Sequence, residues 1–334
     1  MLRMKHYLMG TDEAGYGPNL GPLVLACTVW EMCQNDTDFV PHFDYLSEFE
    51  NRLAPIITDK VTELGKNGKI LLIGDSKKIY QSGKLKVLAE AVLTLLPLFG
   101  RNPKNVRDFI AELAPDNIDE IFAENGQFFV TAEDLPCDDG VRESPRAQTI
   151  ENALSQNDVR LCDIKTSVIF PREFNLKLDS CGNKSTLLSN ETLSLVRRAL
   201  DRFSDAHVTV LCDKHGARNR YVDMLYETFS EHGWIEIVTE GNALSVYKLQ
   251  SHGRTVEFRF QPKADRHIPA ALASMSAKLL REFLMSAFNR FWQQYLPGLQ
   301  ATAGYPVDAL RFFGQIEEIS KNKEIEKDDI WRKK

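Results

Sequence analysis

Gly10-Thr11-Asp12-Glu13-Ala14-Gly15-Tyr16-Gly17-Pro18-Asn19-Leu20-Gly21-Pro22 is the stretch from which the rest of the chain can be read. Two adjacent carboxylates end a short apolar run, Tyr7-Leu8-Met9. A turn rich in glycine and proline then leads into a second apolar run, Leu23 to Trp30. The pattern predicts two strands, at about 5–11 and 23–31, joined by this turn. Neighbouring side chains on a strand point to opposite faces. Asp12 and Glu13 can therefore serve one site only if the chain bends there, and Gly15 and Gly17 permit such a bend.

Neither glycine pattern in the chain reads as a nucleotide-cofactor loop. Gly15-x-Gly17-x-x-x-Gly21 has the wrong spacing for a dinucleotide fingerprint, and Pro18 and Pro22 interrupt the helix that should follow. Gly182-Asn183-Lys184-Ser185-Thr186 lacks the glycines that a phosphate-binding loop requires before its lysine.

Further along, Lys69 to Ile73 predicts a buried strand, followed by Gly74-Asp75-Ser76-Lys77-Lys78 and a helical pattern from about Lys84 to Leu98. Residues 101–160 read as an insertion, acidic and broken by Pro103, Pro115, Pro136 and Pro145, with periodicity only around 117–132. Strands are expected at 164–170, 207–212, 234–239, 244–249 and 255–260. Helices are expected from Ser185 or Asn190 to Phe203, over 219–232, and from Pro269 to Tyr295. The alternation predicts one α/β domain over 1–320 with a mixed central sheet flanked by helices. Residues 321–334 are almost entirely charged and read as a flexible tail.

Composition narrows the class. The 334 residues are 43% hydrophobic and 26% charged, as in a soluble globular protein with a sizeable core. The apolar run Val87 to Phe99 is too short for a membrane span and contains Glu90. Asp12 and Glu13 follow Arg3 and Lys5 too soon for a secretory signal, so the cytoplasm is the expected compartment. The six cysteines never form a C-x-x-C pair, which argues against structural zinc or a disulfide framework. Residues 101–165 hold 7 lysines and arginines against 14 aspartates and glutamates. That is a net of −7 within a whole-chain total of −6, so the remainder carries +1 and is free to present a basic face.

The chemistry lies with the carboxylates. Asp12 and Glu13 end one strand, Asp213 ends another after five apolar or β-branched residues, and Asp265 lies just before the long helix. Bringing four acids together without fixed cations is expensive, because like charges raise each other's pKa. Such a cluster suits divalent metal, and its hard oxygen ligands suit Mg²⁺ or Mn²⁺. Two ions ~4 Å apart activate water and stabilise the leaving oxygen in phosphodiester hydrolysis.

These residues also carry a resemblance. Asp12 to Pro22 resembles the D-E-A-G-R-G-P-x-x-G-P hallmark of the type 2 ribonuclease H family (ribonuclease HII/HIII). Further blocks follow in that family's order. Asp75-Ser76-Lys77-Lys78-Ile79 resembles D-S-K-K-L, Cys212-Asp213 its strand-end acid, and Ala303-Gly304-Tyr305 its late glycine-tyrosine. Lys263-Ala264-Asp265 with Ala273 to Glu282 resembles K-A-D followed by A-S-I-x-A-K-x-x-R-D. The blocks span 7–313, with 100–160 unmatched.

The resemblance implies a ribonuclease H-like fold and a D-E-D-D cluster of Asp12, Glu13, Asp213 and Asp265 as catalytic acids and ligands of two Mg²⁺ or Mn²⁺ ions. Gly15 and Gly17 would bring backbone amides to the ribonucleotide, and Tyr305 would stack on the sugar beside the cleaved bond. Lys77 and Lys78 would meet phosphate, as would Lys278 and Arg281 if their helix face is exposed. One departure bears on the substrate: Tyr16 stands where the family has arginine or lysine. Lys214, His215 and Arg218, just after Asp213, are candidates for the missing phosphate contacts. For His215 a structural role or a phosphate contact is the favoured reading, and the acid that protonates a leaving group is the other.

Three readings follow. The first is an endonuclease that cuts the RNA strand of RNA–DNA hybrids or RNA-containing duplexes, leaving a 3′-hydroxyl, and works as a monomer with no membrane partner. The second is a nuclease of the same fold acting on DNA or structured RNA. The third is a non-catalytic nucleic-acid-binding protein.

Overall fold

The computed structural model describes residues 3–35, 44–115, 128, 134–136, 145–203, 206–216, 218–251 and 253–333. Its strands are β1 (Arg3–Ala14), β2 (Leu23–Asn35), β3 (Ile57–Thr58), β4 (Leu71–Leu72), β5 (Val159–Ile169), β6 (His207–Asp213), β7 (Trp234–Thr239), β8 (Ser245–Ser251) and β9 (Arg254–Gln261). Seven of them form one sheet in the order β5-β2-β1-β6-β9-β8-β7, while β3 and β4 pair separately. β2 lies antiparallel between β1 and β5, β1, β6 and β9 run parallel, and β8 and β7 extend the sheet antiparallel. This is an α/β fold with a mixed sheet flanked by helices, as the alternation of patterns predicts.

The centre of the sheet is buried on both sides, and the alternation along β1 shows why. Leu8 joins a core beneath the long helix Ile268–Tyr295, while Tyr7 and Met9 join the opposite core beneath the helices Pro171–Cys181, Lys184–Leu200 and Val222–Phe229. The long helix begins directly on the sheet. A Cβ at Gly10 would lie 2.2 Å from the Pro269 carbonyl carbon, and the Thr28 hydroxyl donates to the Pro269 carbonyl at 2.8 Å. Only glycine at position 10 permits that approach, and it fixes the start of the helix, with Asp265 just ahead of it, over the end of β1.

Several boundaries differ from the sequence reading. β1 runs on through both acids to Ala14, with Asp12 opposite Ala26 and Glu13 opposite Leu25, so the chain turns after the carboxylates rather than between them. The helix expected from Lys84 starts at Ser76. Asp75 caps it, accepting from the amides of Lys77 and Lys78 at 2.9 and 3.2 Å, and local capping outweighs the weak apolar periodicity of its first turns. The helix Pro306–Asn322 was not anticipated.

Within 101–160, the described helices Val106–Leu113 and Pro145–Gln156 place Phe109, Ile110, Leu113, Ile150 and Leu154 in the core beneath the sheet. The periodicity at 117–132 lies outside the described residues, apart from the buried Phe128. The reading of 321–334 as a flexible tail is corrected over its described part. Ile325, Ile330 and Arg332 are buried, and Leu20 bridges to Trp331, because apolar residues spaced among the charges pack against the fold. Among the described residues, no helix is long and apolar enough to cross a membrane.

Candidate active site

Parallel pairing sets the C-terminal ends of β1, β6 and β9 side by side along one edge of the sheet. Each end delivers carboxylate: Asp12 and Glu13 from β1, Asp213 from β6, and Asp265 from the short helical turn Ala264–Arg266 that follows β9. All four line one cavity of about 360 Å³. Lys263, in the left-handed region at φ 58°, turns the chain out of β9, and its amide donates to Asp213 at 3.0 Å; the Lys214 amide donates to the same oxygen at 2.8 Å.

Burial is the main reason the Asp12, Glu13 and Asp213 carboxyls resist ionisation. Glu13 is pushed up to about 8, by burial first and then by the negative charges of Asp12 and Asp213. Asp12 is raised to about 6 by burial, with Asp265 and Asp213 adding to the shift and a hydrogen bond from Ser274 opposing it. Asp213 is raised by burial against the pull of its backbone donors. The donor set is all carboxylate, the class that suits a hard divalent cation, and the mutual repulsion is what such a cation would relieve. Among the described residues, no group of three or more His, Cys, Asp and Glu forms a ready-made ion cage.

The turn after β1 forms a wall of the cavity through Gly15, Tyr16 and Gly17. Gly15 sits at φ 91°, and a Cβ there would meet Arg281 Nε at 2.4 Å and the Pro22 carbonyl at 2.7 Å, so position 15 admits no side chain. Arg281 does not meet the condition set for a phosphate contact, an exposed helix face: it is buried beneath the turn and donates to the carbonyls of Pro22, Leu20 and Ala303. The Gly304 carbonyl accepts from the amides of Asn19 and Leu20 at 2.7 and 3.2 Å. That clamp brings Tyr305 beside Gly17 and leaves its ring 57% exposed at the cavity rim. Tyr16 is half-buried on the same wall, and burial and then Glu13 raise its hydroxyl pKa.

Lys77 and Lys278 also line the cavity. Lys278 pairs with Glu282 and lies 4.6 Å from the centre of the Tyr80 ring. Two residues overlooked in the sequence complete this side. Asp75 lines the cavity, and so does Ser274, whose hydroxyl meets that of Ser76 at 3.0 Å. The aspartate-serine start of a helix was a legible cap signal, whereas the Ser76–Ser274 contact is purely tertiary.

The remaining candidates lie elsewhere. Lys78 is exposed beside the cavity and faces Asp75 at 3.9 Å. Lys214 borders an adjoining polar cavity of about 460 Å³ that shares Asp213, with its ammonium held by Asn219 and the Gly241 carbonyl. Arg218 donates to the Thr186 hydroxyl at 2.9 Å. Of the three readings of His215, its surroundings fit the structural one. It is buried, its Nδ1 meets the Ser189 hydroxyl at 2.9 Å, and burial lowers its pKa to about 3. Five neighbouring polar residues gave no sign that the local chain turns His215 inward.

No family model matches the chain, and no curated protein matches it. Solved structures similar to it include ribonuclease H2, RNase HII and RNase HIII chains. The ribonuclease H2 of Pyrococcus horikoshii OT3 is 15% identical, with 97% of this chain and 92% of that one covered at a TM-score of 0.39. The RNase HII of Archaeoglobus fulgidus, solved in complex with PCNA, is 11% identical over 97% and 92% at 0.38. Bst-RNase HIII, solved with Mn²⁺, is 12% identical over 98% of this chain and 65% of that one at 0.40.

Proposed function

We propose that this chain is a divalent-metal-dependent endonuclease of the ribonuclease H type that hydrolyses the RNA strand of RNA–DNA hybrids and leaves a 3′-hydroxyl. The observation that carries this reading is the meeting of Asp12, Glu13, Asp213 and Asp265, from separate stretches of the chain, around one cavity walled by Gly15, Tyr16 and Gly17. Those four carboxylates would hold Mg²⁺ or Mn²⁺, which supplies activation of water and charge neutralisation at the scissile phosphate.

The chain's own residues account for the rest. Asp213, held by the Lys214 and Lys263 amides, keeps its carboxylate oriented. Gly15 and Gly17 let backbone approach a ribose, where a 2′-hydroxyl distinguishes RNA from DNA. Tyr305, exposed beside Gly17, offers a stacking face for the adjacent sugar. Lys77 and Lys278 offer positive charge to the phosphates on either side. Tyr16 stands in this wall without a charge, so phosphate recognition falls to those two lysines.

The test is cleavage of three duplexes of one sequence: RNA–DNA hybrid, DNA, and DNA with a single ribonucleotide, each in Mg²⁺, Mn²⁺ and excess EDTA. The expected result is metal-dependent cutting of the RNA-containing duplexes alone. Preferential cutting of the all-DNA duplex moves the assignment to a DNA nuclease, and hybrid binding without product under any metal makes the chain a binding protein.

A further inference from the structure

Arg332 is completely buried, an unusual place for a guanidinium. Its Nη2 donates to the carbonyls of Gly15 and Pro18, both at 2.5 Å, and its charge lies 4.8 Å from the centre of the Phe174 ring. Nε and Nη1 have no hydrogen-bond partner among the described residues. The backbone around it is tied to the same turn. The Arg332 amide donates to the Asn19 carbonyl at 2.7 Å, the Asn19 side chain donates to the Arg332 carbonyl at 3.1 Å, and Leu20 bridges to Trp331.

The other side of this strap is anchored to the helix Pro171–Cys181. Asn175 donates to the Trp331 carbonyl at 2.9 Å and accepts from the Lys333 amide at 2.8 Å, while Arg172 pairs with Glu326 and Asp329. A buried cation held by carbonyls and a ring is costly, and an apolar side chain would fill the space with less penalty. Burial and the nearby Arg281 lower the Arg332 pKa to about 9, a sign of that cost. What an apolar residue cannot do is hold the two carbonyls of the turn.

We propose that Arg332 is a positioning residue: it pins the carbonyls of Gly15 and Pro18 and so holds Gly15, Tyr16 and Gly17 along the wall of the four-acid cavity. The kinetic part of this inference rests on the nuclease reading; the structural part does not.

The experiment is hydrogen exchange of the full chain, followed by mass spectrometry of peptides covering 14–21, on wild type, Arg332→Met, Arg332→Lys and the neighbouring surface change Lys333→Met. In Arg332→Met the 14–21 peptide is expected to exchange about tenfold faster, with β6 and β9 unchanged, as for local opening. Hybrid cleavage should lose about tenfold in kcat with KM within about threefold. Arg332→Lys should recover part of both, and Lys333→Met should match wild type. Exchange at 14–21 equal to wild type in folded Arg332→Met overturns the proposal, as does acceleration spread evenly over the sheet. If Arg332→Met does not fold, Asn175→Ala loosens the strap with the arginine in place. It should speed exchange at 14–21 to a smaller degree, and no change there is equally fatal. Wild type that cuts no hybrid under any metal, yet shows the exchange pattern, removes the nuclease reading and leaves the strap standing.

Discussion

Glu13 and Asp12 occupy positions that oppose their own charge, with Glu13 pushed up to about 8 and Asp12 to about 6. Both values lie above those of an unfolded chain, so ionising these groups destabilises the metal-free fold. Their contribution to stability is fully present below about pH 4 and is lost as pH rises through about 6 and then about 8. Metal-free protein should therefore melt at a lower temperature at about pH 8.5 than at about pH 5.5, and Glu13→Gln should flatten that slope. Adding Mn²⁺ should recover the melting temperature at the higher pH for wild type and not for Asp12→Asn; scanning calorimetry of the three proteins reads both effects. Hybrid cleavage by Asp12→Asn should fall by about 10²–10⁴-fold, the scale for removing a group that acts on the reacting centre. At this scale the sequence was readable in which residues meet, since the four acids and Tyr305, all singled out there, line one cavity. It was opaque where burial decides, since nothing local says that His215 or Arg332 faces inward.

The elements place those residues by a few close contacts. Gly10 lets the long helix sit on β1, and its replacement would push Pro269 and Ala270 away from the strand that carries Asp12 and Glu13. Gly10→Ala should cost about 1–3 kcal/mol in denaturant unfolding, as overpacking does. It should also weaken Mn²⁺ affinity, because Asp265 immediately precedes that helix. Asp75 caps the helix Ser76–Leu93, and Asp75→Ala should cost about 1 kcal/mol of stability. Strand positions were legible from apolar runs, and the long helix from its length. The extension of β1 through Asp12 and Glu13 was not, because pairing with β2 overrides the expectation that glycine-rich flanks end a strand. The start at Ser76 was missed because weak periodicity was weighed above a cap.

Across the whole molecule, topology does what no local stretch reveals. Three parallel neighbours, β1, β6 and β9, gather acids some two hundred residues apart along one edge of the sheet. The strap at 326–333 then closes beneath the turn that faces them. The order of strands and helices made an α/β sheet foreseeable, and strand-end acids made a cluster of carboxylates along one cavity foreseeable. The strap was hidden by its charge, since a run of lysines, aspartates and glutamates reads as solvated until Ile330 and Arg332 are seen in the core. The whole chain is net negative, so the hybrid binding proposed for it would rely on local positive charge such as that of Lys77 and Lys278. Reversing both to glutamate should weaken binding and reduce its salt dependence by about one to two counterions, measurable by fluorescence anisotropy across salt concentrations. The central claim is that four acids make a nuclease, and cleavage of a labelled RNA–DNA hybrid by wild type and Asp213→Asn in Mg²⁺ or Mn²⁺ tests it most directly. Metal-dependent RNA fragments ending in 3′-hydroxyl from wild type, and none above background from Asp213→Asn, are the predicted result; equal cleavage by both proteins, or none by wild type in either metal, would contradict it.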